Sequence, residues 1–239
     1  MQKISIMRKL FITILILIPL INFSQQSDST STKNLIVGLT FSPDYCYRTL
    51  IANKSAQWIV DIRDTSETYK FGFTTGLRFV YKLNRRFAIE TGLLFSDKGE
   101  KTKKLKLVNL SGEMGVAENN YHYYYIDLPL KFNYTFILKR LKFFISGGVS
   151  TNIFLTQKTT STLEYSDGST ETINSSSNSL LSKVNIVALG GFGVDYNFTN
   201  RLNCRIEPTY RRSIIPIADT PIKQYQYSFG ANVGLFYNL

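Results

Sequence analysis

The chain has 239 residues and a formal net charge of +11 at pH 7, and its length suits one domain with a core of its own. Beyond residue 24 no apolar run approaches the roughly 20 residues that a transmembrane helix requires, which excludes helical membrane spans from the rest of the chain. An excess of basic residues suits an anionic partner, either nucleic acid or a lipid head group.

The N-terminus has the pattern of a secretory signal peptide. Three basic residues within the first nine precede an apolar run over residues 10–18, and a proline and a short stretch that ends in the small residue Ser24 follow. The run is too short to cross a bilayer as a helix, so we predict a signal peptide over 1–24, and removing its basic residues lowers the net charge from +11 to +8. Residues 25–34 are polar and low in complexity, which predicts a flexible leader. Because an exported protein rarely meets nucleic acid, we expect lipid as the anionic partner.

From residue 35 onward, bulky apolar residues alternate with polar or small ones, which is typical of strands. In one segment, Phe71, Phe73 and Leu77 alternate with Gly72, Thr74 and Arg78. No helix is expected after the signal peptide. Eight strands are predicted: Leu35–Phe41, Lys70–Leu83, Phe87–Phe95, Tyr124–Phe136, Leu141–Leu155, Val184–Tyr196, Leu202–Tyr210 and Tyr225–Leu239.

The connections between these strands alternate in length. Residues 84–86, 137–140 and 197–201 form short turns, whereas the other connections are long and polar. This alternation, with an even strand number, predicts an all-β fold for residues 35–239: an eight-stranded antiparallel up-and-down transmembrane β-barrel in the bacterial outer membrane, with short periplasmic turns and long extracellular loops. Asp167-Gly168 in the third long loop indicates a hairpin, so we expect strands five and six to continue outward as a ribbon.

The two faces of the predicted strands differ in chemistry. Eight strands enclose an interior only just wide enough for side chains, so the bulky apolar face is expected to contact lipid and the polar face to line a plugged lumen. Aromatic residues near both strand ends suit two membrane interfaces. The predicted lumen charge network comprises Arg78, Lys82, Glu90, Asp127, Lys131, Asp195, Arg205, Glu207 and Arg211.

Pro129 interrupts one of these strands, YYYIDLPLKFNY. Proline cannot donate to a sheet ladder and is usually confined to edges or bulges. A closed barrel has no edge, so we predict a bulge or an unpaired carbonyl beside Pro129.

The C-terminal strand ends in an alternating pattern that resembles the signal read by the barrel assembly machinery. With YYYIDLPLKFNY, GFTTGLRFVYKLNRRFAIETGLLFSDKG and GGFGVDYNFTNRLNCRIEP, residues 33–239 resemble the PorT-like outer-membrane β-barrel domain family. One member type of that family is implicated in protein secretion across the outer membrane, and no motif ties this chain to that role. The resemblance implies as partners the assembly machinery, outer-membrane lipid and lipopolysaccharide. The assembly signal consists of Asn232, Gly234, Tyr237 and Leu239.

Few residues carry recognisable chemistry. His122 is the single histidine, and Ser96 and Asp97 at the same rim offer a nucleophile and an acid, but no orienting third group is evident for a catalytic site. Cys46 and Cys204 fall at opposite ends of the predicted barrel and are expected to be free thiols. We therefore expect no metal, no cofactor and no enzymatic activity.

The predicted role is that of a plugged barrel that acts through its outer loops or as an accessory to an envelope or secretion assembly. Three alternatives stay open: a small-solute pore, a lipid A-modifying enzyme and a soluble lipocalin-like binder. Which envelope protein serves as a partner is also open.

Overall fold

The protein is described by a computed structural model that covers residues 34–109, 112–138, 140–177, 181–218 and 220–239. The predicted signal peptide and all of the predicted leader except Asn34 lie outside these residues. Within these ranges, no helix has the length and apolar character needed to cross a membrane.

Most of the described chain is β-strand, as the alternating pattern of β-branched, aromatic and polar residues predicts. One short helix, α1 (Gln57–Ser66), follows a single 3-10 turn at Lys54–Ala56. The strands are β1 (Leu35–Ala52), β2 (Glu67–Thr68), β3 (Lys70–Lys82), β4 (Phe87–Lys98), β5 (Lys101–Thr102), β6 (Leu105–Asn109), β7 (Gly112–Leu138), β8 (Leu141–Tyr165), β9 (Thr170–Ser177), β10 (Val184–Asn197), β11 (Leu202–Ser213) and β12 (Ile222–Asn238).

Eight long strands close into a ring in which every neighbour is antiparallel. The order around the ring is β1, β3, β4, β7, β8, β10, β11 and β12, and β12 pairs with β1 again. Leu39, for example, pairs with Leu77 on one side and with Leu235 on the other. The predicted eight-stranded antiparallel barrel is therefore confirmed.

Side chains alternate between an apolar outer face and a polar lumen along each ring strand. On β3, Phe71 and Leu77 are exposed on the outer face, whereas Thr74 and Arg78 are buried in the lumen. We call the end that carries the turns between β3 and β4, β7 and β8, and β10 and β11 the short-turn rim. The opposite end is the long-loop rim.

The first ring strand is longer than the sequence predicted. It continues beyond Phe41 through Pro43, which pairs with Phe73, and ends at Ala52. Helix α1 then crosses the long-loop rim, although no helix was expected after the signal peptide. This helix buries Val60 and exposes Trp58 and Ile62, and its 10 residues are too few for the repeated apolar stripe by which a surface helix is usually recognised.

Four antiparallel strands extend past the long-loop rim, and we call them the outer sheet. β6 pairs with residues 112–117 of β7, residues 115–124 of β7 pair with β8, and β8 pairs with β9. The predicted hairpin is present, with Gly168 at a φ of +87°. The expected ribbon is formed by β8, which continues outward to Tyr165, and by β9, which precedes β10 in the chain and pairs with β8. An extended β7, which was not expected, pairs with the other side of β8.

The ladder between β4 and β7 is interrupted beside Pro129. Thr91 pairs with Leu130 and Leu94 pairs with Asp127, whereas the described pairs do not include the residues between them. The register is the same on both sides of this gap, so the strand contains no bulge there. The Thr91 hydroxyl donates to the Pro129 carbonyl at 2.8 Å. The predicted bulge is therefore absent, and the ladder has a gap beside Pro129 instead of regular pairing.

Candidate functional site

Two buried glutamates, Glu90 on β4 and Glu207 on β11, share two cations at the centre of the lumen, and a third cation binds Glu90 alone. Lys131 Nζ lies 2.8 Å from a carboxylate oxygen of each glutamate. Arg78 Nη1 donates to Glu90 at 2.7 Å and to Glu207 at 3.0 Å. Arg205 Nη1 donates to Glu90 at 2.6 Å. Both glutamates are 0% exposed, and buried charges are tolerated when they are paired and hydrogen-bonded in this way.

Arg205 extends this network toward the short-turn rim. Its Nε and Nη2 donate to the two carboxylate oxygens of Asp195 at 2.7 and 2.9 Å, a bidentate pair. Its guanidinium carbon lies 4.4 Å from the ring centre of Phe144 and 4.6 Å from that of Phe236, within cation–π distance. The sequence analysis did not single out these two rings, because most aromatic residues of the barrel face outward.

Asp44 on β1 extends the network toward the long-loop rim. It accepts hydrogen bonds from Arg211 at 2.8 Å and from Thr74 at 2.5 Å. Asn232 Oδ1 in turn accepts from Arg78 at 2.8 Å and from Arg211 at 2.9 Å. Asp44 lies beyond Phe41, the residue at which the first strand was predicted to end, and was therefore not expected in the lumen. The alternation continues to Asp44 and could have placed it in the lumen.

Opposite charges balance within the ion-paired network of the lumen, and the side chains that carry them fill its cross-section. Lys98 and Asp127 form a further pair at 2.9 Å, while Lys82 donates only to Asn238, at 3.4 Å. Cavities of about 20 and 10 Å³ lie beside the network, each on the scale of one water molecule. The five acids are Asp44, Glu90, Asp127, Asp195 and Glu207, and the five bases are Arg78, Lys98, Lys131, Arg205 and Arg211.

Helix α1 is held over the long-loop rim by a second group of ion pairs. Glu67 accepts from Arg48 Nε at 2.8 Å and from Arg63 Nε at 2.6 Å. Because Arg48 is buried on β1 and Arg63 lies on α1, Glu67 ties the helix to the barrel. Arg48 also pairs with Asp64 on the same helix. The sequence analysis named none of these residues.

Glu100 lies beneath this group with few compensating charges. Its carboxylate accepts hydrogen bonds from Tyr123 and Gln224, each at 3.0 Å, and Arg63 Nη2 is 3.7 Å away. Glu100 is 1% exposed. Burial raises the pKa of the Glu100 carboxyl, and the nearby negative charge of Glu67 raises it further.

His122 at the same rim contacts an acid and a base. Its Nδ1 is 2.9 Å from Asp97 Oδ2 and 2.7 Å from Lys70 Nζ. Asp97 is thus an orienting group that the sequence analysis did not recognise. Ser96, which that analysis considered as a nucleophile, is buried with an unpaired hydroxyl, and it points away from Asp97 because successive strand residues face opposite sides.

The remaining residues singled out from the sequence are spread along the barrel. Gly234 faces the lumen beside Thr40, and Tyr237 is exposed on the outer face. Cys46 and Cys204 are both free thiols. In the described ranges, no group of three or more His, Cys, Asp or Glu side chains is arranged to hold a metal ion.

The chain is similar in sequence and fold to known barrels. A family model described as an outer membrane protein β-barrel domain matches residues 23–219. Neisserial surface protein A is 12% identical over 86% of this chain and 97% of its own, with a TM-score of 0.45. OprG from Pseudomonas aeruginosa is 10% identical over 86% of this chain and 96% of its own, with a TM-score of 0.40. No curated protein sequence matches the chain.

The similar structures also include an enzyme. The outer membrane protease OmpT from Escherichia coli is 8% identical over 90% of this chain and 99% of its own, with a TM-score of 0.45. The expectation that this chain is not an enzyme was wrong, because the barrels similar to it include a protease. At this identity the likeness concerns the fold alone and assigns no activity.

Proposed function

Because the chain belongs to the outer membrane protein β-barrel domain family and lies in the bacterial outer membrane, we propose that it is a closed barrel that binds an extended segment of a partner protein. The binding surface in this proposal is the free edge of the outer sheet. In barrels of this type the long loops face the outside of the cell, so the partner is met at the cell surface.

The observation that supports this proposal is the exposed edge of β9. All eight residues of Thr170–Ser177 are exposed, and β9 ends the described sheet order, with β8 as its neighbour. Edge strands of native proteins are commonly protected by charged side chains, proline or a bulge. Residues 170–176 contain neither lysine nor proline, and their one charged residue, Glu171, accepts a hydrogen bond from Tyr165 on β8. An unprotected edge of this length can accept a strand from another protein.

The directions of the backbone N–H groups along β9 determine which of them a partner strand would meet. Tyr165 N donates to Ser169 O at 2.9 Å, so these two residues form a hydrogen-bonded pair. Hydrogen-bonded and non-hydrogen-bonded pairs alternate along an antiparallel ladder, and Thr170, Thr172 and Asn174 therefore direct their N–H groups away from β8. A partner strand would pair with these groups.

Photocrosslinking in intact cells tests this proposal. A photoreactive residue at Ile173, which is exposed, should give a discrete adduct with a partner protein. Thr172→Pro removes one outward N–H and leaves pairing with β8 intact, so it should abolish the adduct, whereas Thr172→Val should preserve it. The absence of any adduct, or an adduct that is equally strong with Thr172→Pro, would contradict the proposal.

We also propose that the lumen is plugged, which the balanced network and the small cavities beside it support. We further propose that the chain belongs to the PorT-like subfamily and has an accessory role in an envelope or secretion assembly. As further partners we propose outer-membrane lipid and lipopolysaccharide for the apolar outer face, and the barrel assembly machinery for the C-terminal strand. Nucleic acid is not among them.

A further inference from the structure

A cavity of about 50 Å³ opens at the short-turn rim, below the central network. The ring-strand residues Lys82, Lys142 and Asn203 line it from the lumen, and Arg85 and Arg86 line it from the turn between β3 and β4. We call these five residues the basic vestibule. In the membrane, this rim faces the periplasm.

The vestibule has an excess of positive charge. None of its four basic side chains forms an ion pair with a described carboxylate, and Lys82 makes a single long hydrogen bond, to Asn238 at 3.4 Å. Asp195 also lines the cavity, but both of its carboxylate oxygens accept hydrogen bonds from Arg205. A cleft lined by one sign of charge focuses the field and attracts counter-ions.

Asn203 adds an unpaired polar group to the same cavity. It is only 4% exposed, and its Oδ1 has no hydrogen-bond partner in the described part of the chain. Buried amides are normally hydrogen-bonded. Rotation about the last side-chain bond presents either the oxygen or the two N–H donors of an asparagine, so Asn203 can donate to a group that enters the vestibule.

From these observations we propose that the basic vestibule binds a phosphate-sized oxyanion on the periplasmic side. A cavity needs roughly 10–15 Å³ to hold one water molecule. The cavity of about 50 Å³ therefore holds a group several times the size of a water. Lysine and arginine are the usual phosphate ligands, and the carboxylate among the lining residues, Asp195, is engaged by Arg205. The anion is a free phosphate or the phosphate of a lipid head group, since the two present the same oxygens.

Calorimetric titration of the full mature protein in a zwitterionic detergent tests the proposal. Sodium phosphate is the first probe, and short-chain phosphatidylglycerol below its micelle concentration is the second, both at constant ionic strength. The vestibule variant is Lys82→Gln with Lys142→Gln. The matched control is Lys54→Gln with Lys103→Gln, which removes the same charge from exposed positions at the other rim. Circular dichroism establishes that each variant is folded.

We expect saturable binding of the anion to the wild type and to the control. In the vestibule variant the affinity should be about tenfold lower or weaker still. Binding of inorganic phosphate identifies a free phosphate as sufficient, whereas binding of the lipid alone identifies a head group. If neither probe binds the wild-type protein, or if the vestibule variant binds as tightly as the control, the proposal is overturned.

Discussion

Arg78 on β3 donates a hydrogen bond to Glu207 on β11 at 3.0 Å, although 129 residues separate them in the sequence. Two ring strands, β1 and β12, lie between β3 and β11, so the contact spans the lumen and not a single ladder. Arg78 also binds Glu90 and Asn232. One side chain therefore connects four ring strands across the interior.

Replacing Arg78 with leucine should destabilise the barrel strongly. The change leaves Glu90 and Glu207 buried with one cation fewer, and breaking a buried pair by removing one partner costs about 3–5 kcal/mol. Urea unfolding in lipid vesicles measures the change in the free energy of unfolding. Arg201→Leu, at an exposed turn position, is the control and should change stability by less than about 0.5 kcal/mol. Equal effects of the two substitutions would show that the network contributes little.

The purified protein should show no discrete channel openings in planar bilayers. Its lumen is crossed by the Arg78–Glu207 and Lys131–Glu207 contacts, and the cavities beside them, of about 20 and 10 Å³, are too small for a hydrated ion. Single-channel recording over several hundred protein insertions measures whether such openings occur. Stepwise openings of uniform size would favour the small-solute pore over the plugged lumen.

Adding a side chain at Gly38 should disturb the short-turn end of the lumen. A Cβ atom there would lie 2.3 Å from Cδ1 of Phe236, which is buried against Arg205. Overpacking of this kind typically costs about 1–3 kcal/mol, so Gly38→Val should lower stability by at least that amount. In a Phe236→Ala background the same substitution should cost much less, and a double-mutant cycle by urea unfolding measures the coupling. Additive effects would contradict the packing described.

Replacing Glu100 with glutamine should stabilise helix α1 at neutral pH. Burial raises the pKa of Glu100 above its ordinary value of 4.5, so the folded state prefers the protonated acid, and stability is lost as pH rises from 4.5 through the folded-state pKa. Glutamine resembles the protonated acid and avoids that loss. Hydrogen exchange of residues 57–66 should be slower in Glu100→Gln than in the wild type at pH 7, with the difference smaller at pH 4.5. A difference that grows at low pH would reverse the sign of this prediction.

The register of the ring follows from local patterns to a large extent. The turn over residues 84–86 places Val80 opposite Glu90, and the turn over residues 197–201 places Asp195 opposite Arg205. Both pairings follow from the sequence because a short hairpin turn sets the register of its two strands. Contacts between strands that are not neighbours in the ring could not be predicted in this way.

The period of two determined the strand faces, and the alternation of short turns with long connections determined the even strand number and the antiparallel order, because these properties depend on residues close together in the chain. Only the tertiary structure decided which charges meet across the lumen, that Asp44 and Asn232 join them, and that Phe144 and Phe236 point inward against Arg205. The physical reason is that strand tilt and ring closure set these distances. Helix α1 likewise depends on Glu67 and Arg48, partners that lie outside the helix itself.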